Sequence, residues 1–123
     1  MVVEDFHDTR LMLREALKVK GYRVVEAVDG WEAVGLANRD RPDLILMDLN
    51  LPVLDGVEAA CLLRELGEFR DVPMIAITAH DSADSRADAR DVGFDEYVTK
   101  PIDFDYLEPL IDRLLKRSLS AIE

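Results

Sequence analysis

Two hydrophobic periodicities alternate along this chain, and that alternation restricts its fold more than any other feature. Short runs rich in β-branched and large apolar residues occur at Val2–Val3, Arg23–Val28, Leu44–Met47, Met74–Thr78 and Tyr97–Thr99. Each is bounded by turn formers, as buried parallel strands are. Between them lie segments with helical spacing: Leu13, Ala16 and Leu17; Ala33, Val34 and Ala37; Val57, Ala60, Cys61 and Arg64. A polar stretch from Ser82 to Asp91 and a final segment with Leu107, Leu110, Ile111 and Leu114 complete the set. Strict β-α alternation with short loops requires right-handed crossovers and a parallel sheet covered on both faces. The expected fold is therefore α/β, a doubly wound five-stranded parallel sheet with five helices.

The helix ends carry their own signals. Asp8, Asp55 and either Asp81 or Ser82 are placed to cap the first, third and fourth helices, and Gly21 and Gly93 stand where helices should stop in the left-handed conformation. Asp29, Gly30 and Trp31 read as a turn and the start of the second helix. Cys61, between Ala60 and Leu62, is expected to pack in the core. The fourth helix, "SADSRADAR", offers only alanines as an apolar stripe, so it is expected to attach thinly and shift cheaply.

Size and charge limit what such a sheet can do. With 123 residues, 49% of them hydrophobic, residues 1–123 form one domain with one substantial core. The 26 acidic residues outnumber 15 basic ones, and the net charge of −11 repels nucleic acid phosphates and anionic membranes. No direct nucleic acid or membrane partner is expected. A single cysteine makes no internal disulfide, the apolar runs are far too short to span a bilayer, and acids at positions 4 and 5 interrupt any signal peptide. The expected compartment is the cytoplasm.

In open parallel sheets, sites form outside the carboxyl ends of the strands. The first strand ends in Glu4 and Asp5, the third in Asp48, the fourth in Thr78 and Ala79, and the fifth in Lys100 and Pro101. Like charges about 4 Å apart repel by roughly 4 kcal/mol at an effective dielectric of 20, so three converging carboxylates call for a cation. An all-oxygen site of a few carboxylates, a backbone carbonyl and waters suits Mg²⁺. With Lys100 as a point charge and Thr78 as a hydroxyl donor, such a pocket would hold a phosphoryl group that the Asp48 carboxylate attacks to form an acyl phosphate.

The pieces "VVED", "LILMDLNLPVLDG", "IAITA" and "YVTKP" stand in this order at the strand ends, and with them the whole chain resembles the receiver domain of two-component response regulators, of the stand-alone, chemotaxis-regulator-like type. The resemblance implies a flavodoxin-like sheet with strand order 2-1-3-4-5. It implies that Asp48 is phosphorylated by a histidine kinase or histidine phosphotransfer protein. Mg²⁺ would be held by Glu4, Asp5, Asp48 and the backbone carbonyl of Asn50, and Lys100, joined to Pro101 by a cis bond, would contact the phosphoryl oxygens. Thr78, with Ala79 beside it, and Tyr97 would form the switch that remodels the surface of the last two helices and the fifth strand for a downstream protein. Asn50 and His80 would tune how fast water reaches the acyl phosphate. The domain would be no enzyme beyond its own phosphotransfer and slow autodephosphorylation, and a monomer or a phosphorylation-dependent dimer.

Taken singly, these residues have ordinary readings too. Asp48 could be a turn former, Glu4 and Asp5 a solvated strand end, Thr78 and Tyr97 static strand residues, and Lys100 and His80 surface groups. Phe6 and His7 replace the small polar residues common after the acidic pair, and the family usually places more residues before that pair than Met1, Val2 and Val3. A magnesium-dependent nuclease or primase domain of the Toprim type would want an acid where Asn50 stands and a less negative chain. The alternative function is a non-phosphorylated receiver-like docking module, although such modules typically lose the acceptor, the lysine or the acidic pair. "LLKRSLSAIE" closes the sequence with no effector domain, consistent with a stand-alone regulator or an excised fragment.

Overall fold

Successive residues of one central strand point to opposite faces of the sheet, and the chain is built around that fact. The computed structural model describes residues 1–122, with side chains described through Arg117. Its elements run β1 (Val2–Val3), α1 (His7–Val19), β2 (Glu26–Ala27), α2 (Gly30–Asp40), β3 (Ile45–Asp48), α3 (Gly56–Glu65), β4 (Met74–Thr78), α4 (Ala83–Asp91), β5 (Glu96–Thr99) and α5 (Phe104–Ile122). All sheet pairings are parallel and the order is β2-β1-β3-β4-β5, a flavodoxin-like doubly wound sheet.

The two faces bury separate clusters. On one, Ile45 and Met47 of β3 and Met74 and Ala76 of β4 pack with Ala33 and Ala37 of α2, Ala59, Ala60 and Leu63 of α3, and Ala89 of α4. On the other, Leu46, Ile75 and Ile77 meet Leu13 and Leu17 of α1 and Leu107, Ile111 and Leu114 of α5. Small residues on α2 and α3 let those helices lie close to the sheet. Strands β3 and β4 are buried along their whole length, which explains why they read as unbroken apolar runs.

Several local expectations are met and several are corrected. Asp55 and Ser82 cap α3 and α4 by accepting hydrogen bonds from Glu58 N and Ser85 N, at 2.8 Å and 3.0 Å. Gly21 and Gly93 have φ of +90° and +105°. Asp8, however, lies inside α1, whose N-cap is Phe6 with no side-chain cap, while Phe6 N donates to Glu4 Oε2 at 3.3 Å. The run Arg23–Val28 yields only Glu26–Ala27 as strand, because β2 is an edge whose sole neighbour, β1, is itself two residues long. Cys61 is exposed: the buried face of α3 is formed by Gly56, Ala59, Ala60 and Leu63, and Cys61 is turned off it with Sγ 3.8 Å from Glu65 Oε1. In α4 only Ala89 is buried, as its alanine-only stripe implies. Among the described residues no helix is long and apolar enough to cross a membrane.

Candidate functional site

Three acids meet at the carboxyl edge of the sheet because β1 lies between β2 and β3. Glu4 and Asp5 leave β1 beside Asp48 at the end of β3, and carboxylate oxygens of all three lie within 4.8 Å of one another. Glu4 and Asp48 are only 1% and 3% exposed, whereas Asp5 faces solvent. Asn50 N donates to Asp48 Oδ1 at 2.8 Å, fixing the loop after β3 against the acid it follows. That loop is held tight by Gly56, where a Cβ would stand 2.3 Å from the Asp48 carbonyl oxygen, so the first turn of α3 packs directly on the end of β3.

Lys100 closes the site from β5. Its Nζ lies 2.6 Å from Asp48 Oδ2 and 2.7 Å from Glu4 Oε1. The contact with Asp48 is a hydrogen bond, but the approach to Glu4 Oε1 is an ion pair without hydrogen-bond geometry, and that buried oxygen has no hydrogen-bond partner. The Lys100–Pro101 bond is cis. Burial raises the Glu4 carboxyl from its ordinary 4.5 to about 7, the neighbouring Asp48 adds to the rise, and Lys100 opposes it. Burial alone would lower the Lys100 pKa, yet the Asp48 and Glu4 carboxylates outweigh it and the net shift is upward.

One ammonium among three carboxylates leaves negative charge in excess. Together with the unpartnered Glu4 oxygen, this oxygen-only donor set fits a hard cation, and Glu4, Asp5 and Asp48 can hold one. A cavity of about 620 Å³ lies at the opposite end of the strands, lined by residues such as Val24, Leu44 and Ile111, and includes none of these acids.

Thr78 sits at the end of β4, 2% exposed, with Oγ1 accepting a hydrogen bond from His80 N at 3.0 Å. Ala79 lies between them in the loop leading to α4. His80 is exposed, but its carbonyl accepts from the Tyr97 hydroxyl at 2.6 Å. Tyr97, half-buried on β5, is thereby tied to the segment that carries Thr78. Arg10 was not foreseen: Nη1 donates to the Glu4 carbonyl at 3.0 Å, and the side chain pairs with Glu26. An arginine one turn into a helix has no sequence signal to separate it from a solvated one.

The chain matches the response regulator receiver domain family over residues 1–112. Transcriptional regulatory protein PrrA of Mycobacterium tuberculosis is 38% identical over 117 residues, covering 95% of this chain and 49% of that protein. Response regulator MprA of Mycobacterium leprae is 39% identical over 118 residues, covering 96% and 51%. The chain thus spans about half the length of the curated relatives it matches. Among solved structures, the receiver domain of the Pseudomonas aeruginosa sensor histidine kinase PA1611, which has a magnesium ion coordinated in its active site cleft, shares 36% identity with a TM-score of 0.86, covering 94% of each chain. Vibrio cholerae chemotaxis protein CheY4 shares 29% identity with a TM-score of 0.87, covering 92% of this chain and 94% of its own. With its sheet order, its acidic cluster and its lysine at the strand ends, the chain belongs to the response regulator receiver domain family of two-component systems.

Proposed function

We propose that this receiver domain accepts a phosphoryl group on Asp48 from a histidine kinase or histidine phosphotransfer protein, in a Mg²⁺-dependent reaction, and presents a changed α4-β5-α5 surface to a downstream protein. The observation that carries this reading is the buried Asp48 carboxylate, flanked by Glu4 and Asp5 and bound by Lys100 Nζ at 2.6 Å. An Asp48 oxygen attacks phosphorus, the new O–P bond forms as the donor's P–N bond breaks, and the donor imidazole leaves with the bonding pair. Lys100 exchanges carboxylate for phosphoryl oxygen as its partner, and the Thr78 hydroxyl turns from His80 N to the same group. Mg²⁺, when bound, would be held by Glu4, Asp5, Asp48 and the Asn50 carbonyl, and would neutralise charge on the transferring oxygens. Asn50 and His80 flank the acceptor and the switch, where they can tune attack by water. The domain's chemistry is its own phosphotransfer and slow autodephosphorylation, not turnover of a separate substrate. The intact mass after incubation with acetyl phosphate tests this: one phosphoryl group is gained with Mg²⁺ and none with EDTA. No gain from folded protein in either condition would leave a docking module.

Lys100→Ala is expected to slow phosphorylation by about 10²-fold, the scale of losing one donor to a developing charge. The phosphorylated variant should also show no change in hydrogen exchange across α4 and β5. The Glu4 carboxyl gives the metal a definite pH dependence. Its folded pKa, about 7, is raised above 4.5, so its proton stabilises the metal-free fold. That contribution is complete below about 4.5 and is lost as pH rises through about 7. Mg²⁺ must displace the proton, so thermal melts should show a larger Mg²⁺-induced rise in Tm at pH 8 than at pH 6. An equal rise at both would remove Glu4 from the metal site.

A further inference from the structure

The proposed metal site depends on where β1 delivers Glu4 and Asp5, and we infer that Arg10 of α1 fixes that delivery, as a positioning residue for the metal ligands. The inference rests on the metal reading above and extends it to a residue outside the acidic cluster. The ladder between β1 and β2 ends here: Glu4 N still donates to the Ala27 carbonyl at 3.0 Å, and the chain then turns into α1 at His7. The N-cap of α1 is Phe6, so no side chain caps that turn. Glu4 is held from the helix in another way. Phe6 N donates to its carboxylate Oε2 at 3.3 Å, and Arg10 Nη1 donates to its carbonyl at 3.0 Å.

These two ties are not equivalent. The first uses a carboxylate oxygen, for which a cation bound by Glu4 competes with Phe6 N. The second uses the backbone carbonyl, which is outside the carboxylate set, so it persists as the site loads. Arg10 is itself anchored: Nε lies 3.4 Å from Oε1 of Glu26 on β2, whose Oε2 pairs with Arg14 Nη1 at 3.2 Å. The Arg10 and Glu26 side chains are 15% and 28% exposed, so their pair is screened less than one on the open surface. One guanidinium thus bridges the end of β1 to the neighbouring strand. Separate edges of a planar fork make that bridge, which the point charge of a lysine cannot reproduce. Asp5 is exposed, so the backbone that Arg10 holds sets its place as well. By charge alone Arg10 opposes the metal, since it puts one cation beside the site of another. Its contribution to the site is therefore geometric.

Calorimetric titration of Mg²⁺ into wild type, Arg10→Met and Arg14→Met tests this, because charge and geometry predict opposite signs. Each variant removes one positive charge from α1 and one partner from Glu26, but Arg14 reaches Glu15 and Glu26 rather than Glu4. If charge alone counts, both bind Mg²⁺ as well as wild type or more tightly. If Arg10 positions the ligands, Arg10→Met binds about tenfold more weakly, the low end of the loss when a group that orients a metal ligand is removed, and Arg14→Met does not. Should methionine at position 10 prevent folding, Arg10→Lys keeps the charge, loses the fork and is expected to weaken binding in the same direction. Unchanged or tighter binding in the variant that folds overturns the proposal, and so does an equal loss in Arg14→Met. Hydrogen exchange in EDTA reads the same placement without metal: the amides of residues 5–7 should exchange faster in Arg10→Met than in Arg14→Met, with β3 and β4 unchanged. A wild type that binds no Mg²⁺ would sink the metal reading, and the exchange comparison would still decide whether Arg10 holds the acidic pair.

Discussion

Asp48→Asn protein, folded and supplied with acetyl phosphate and Mg²⁺, is expected to gain no phosphoryl group at any time at which the wild type is fully modified. The amide has no anionic oxygen to attack phosphorus. Losses on the order of 10⁶-fold follow removal of a covalent nucleophile, far below what intact mass can detect. Stability should move little or rise. Asp48 is 3% exposed and accepts from Lys100 at 2.6 Å, but it also stands against two further carboxylates. Removing one of three clustered negative charges relieves repulsion worth roughly 4 kcal/mol per pair at 4 Å and an effective dielectric of 20, which offsets the lost ion pair. A melt in EDTA separates chemistry from folding. Absent phosphorylation with an unchanged or higher Tm assigns the acceptor, whereas phosphorylation that persists on the variant would move the acceptor elsewhere.

Arg64→Met should lower stability by about 3 kcal/mol, or about 10 °C in Tm for a domain of this size. Arg64 leaves the end of α3 and donates Nη1 to the carbonyls of Phe69, Arg70 and Val72 and Nη2 to that of Gly93, and it pairs with Asp95. One guanidinium thus satisfies the loop before β4 and the turn before β5 together. Burial lowers its pKa, opposed by Asp95, and the group remains a cation in the physiological range. Methionine keeps most of the aliphatic stem and leaves these carbonyls unpaired, a loss that falls on folding alone. The acidic cluster lies at the other end of the strands, so phosphorylation of Asp48 below the melting transition should be unaffected. A melt within about 1 kcal/mol of wild type would mean that water replaces the guanidinium at these carbonyls.

Arg64 also marks where the sequence stops being informative. Its position in the helical run after Gly56 is plain, but nothing local separates a surface arginine from one that binds carbonyls of two loops, because those loops are brought to it only by the β3-β4-β5 order. The same limit explains Cys61, which has a core composition and an exposed place, since spacing defines a helical face only to within a residue. It explains β2, whose apolar run is longer than its ladder because a strand can pair only as far as its neighbour extends. It explains Arg10 as well, whose partner Glu26 is named by the chain and brought to it by the fold.

What the chain determined unaided was the alternation of elements, the parallel doubly wound sheet, and the placing of Glu4, Asp5, Asp48, Thr78 and Lys100 at strand ends. Period and turn chemistry are local properties, and the rule that parallel strands end on one edge turns local position into a shared site. Only the tertiary structure decided how those groups share charge: that Lys100 bridges Asp48 and Glu4, that burial lifts the Glu4 carboxyl to about 7, and that Tyr97 is held from the Thr78 loop. Distance and burial between residues far apart in sequence are set by packing, and electrostatics depends on both.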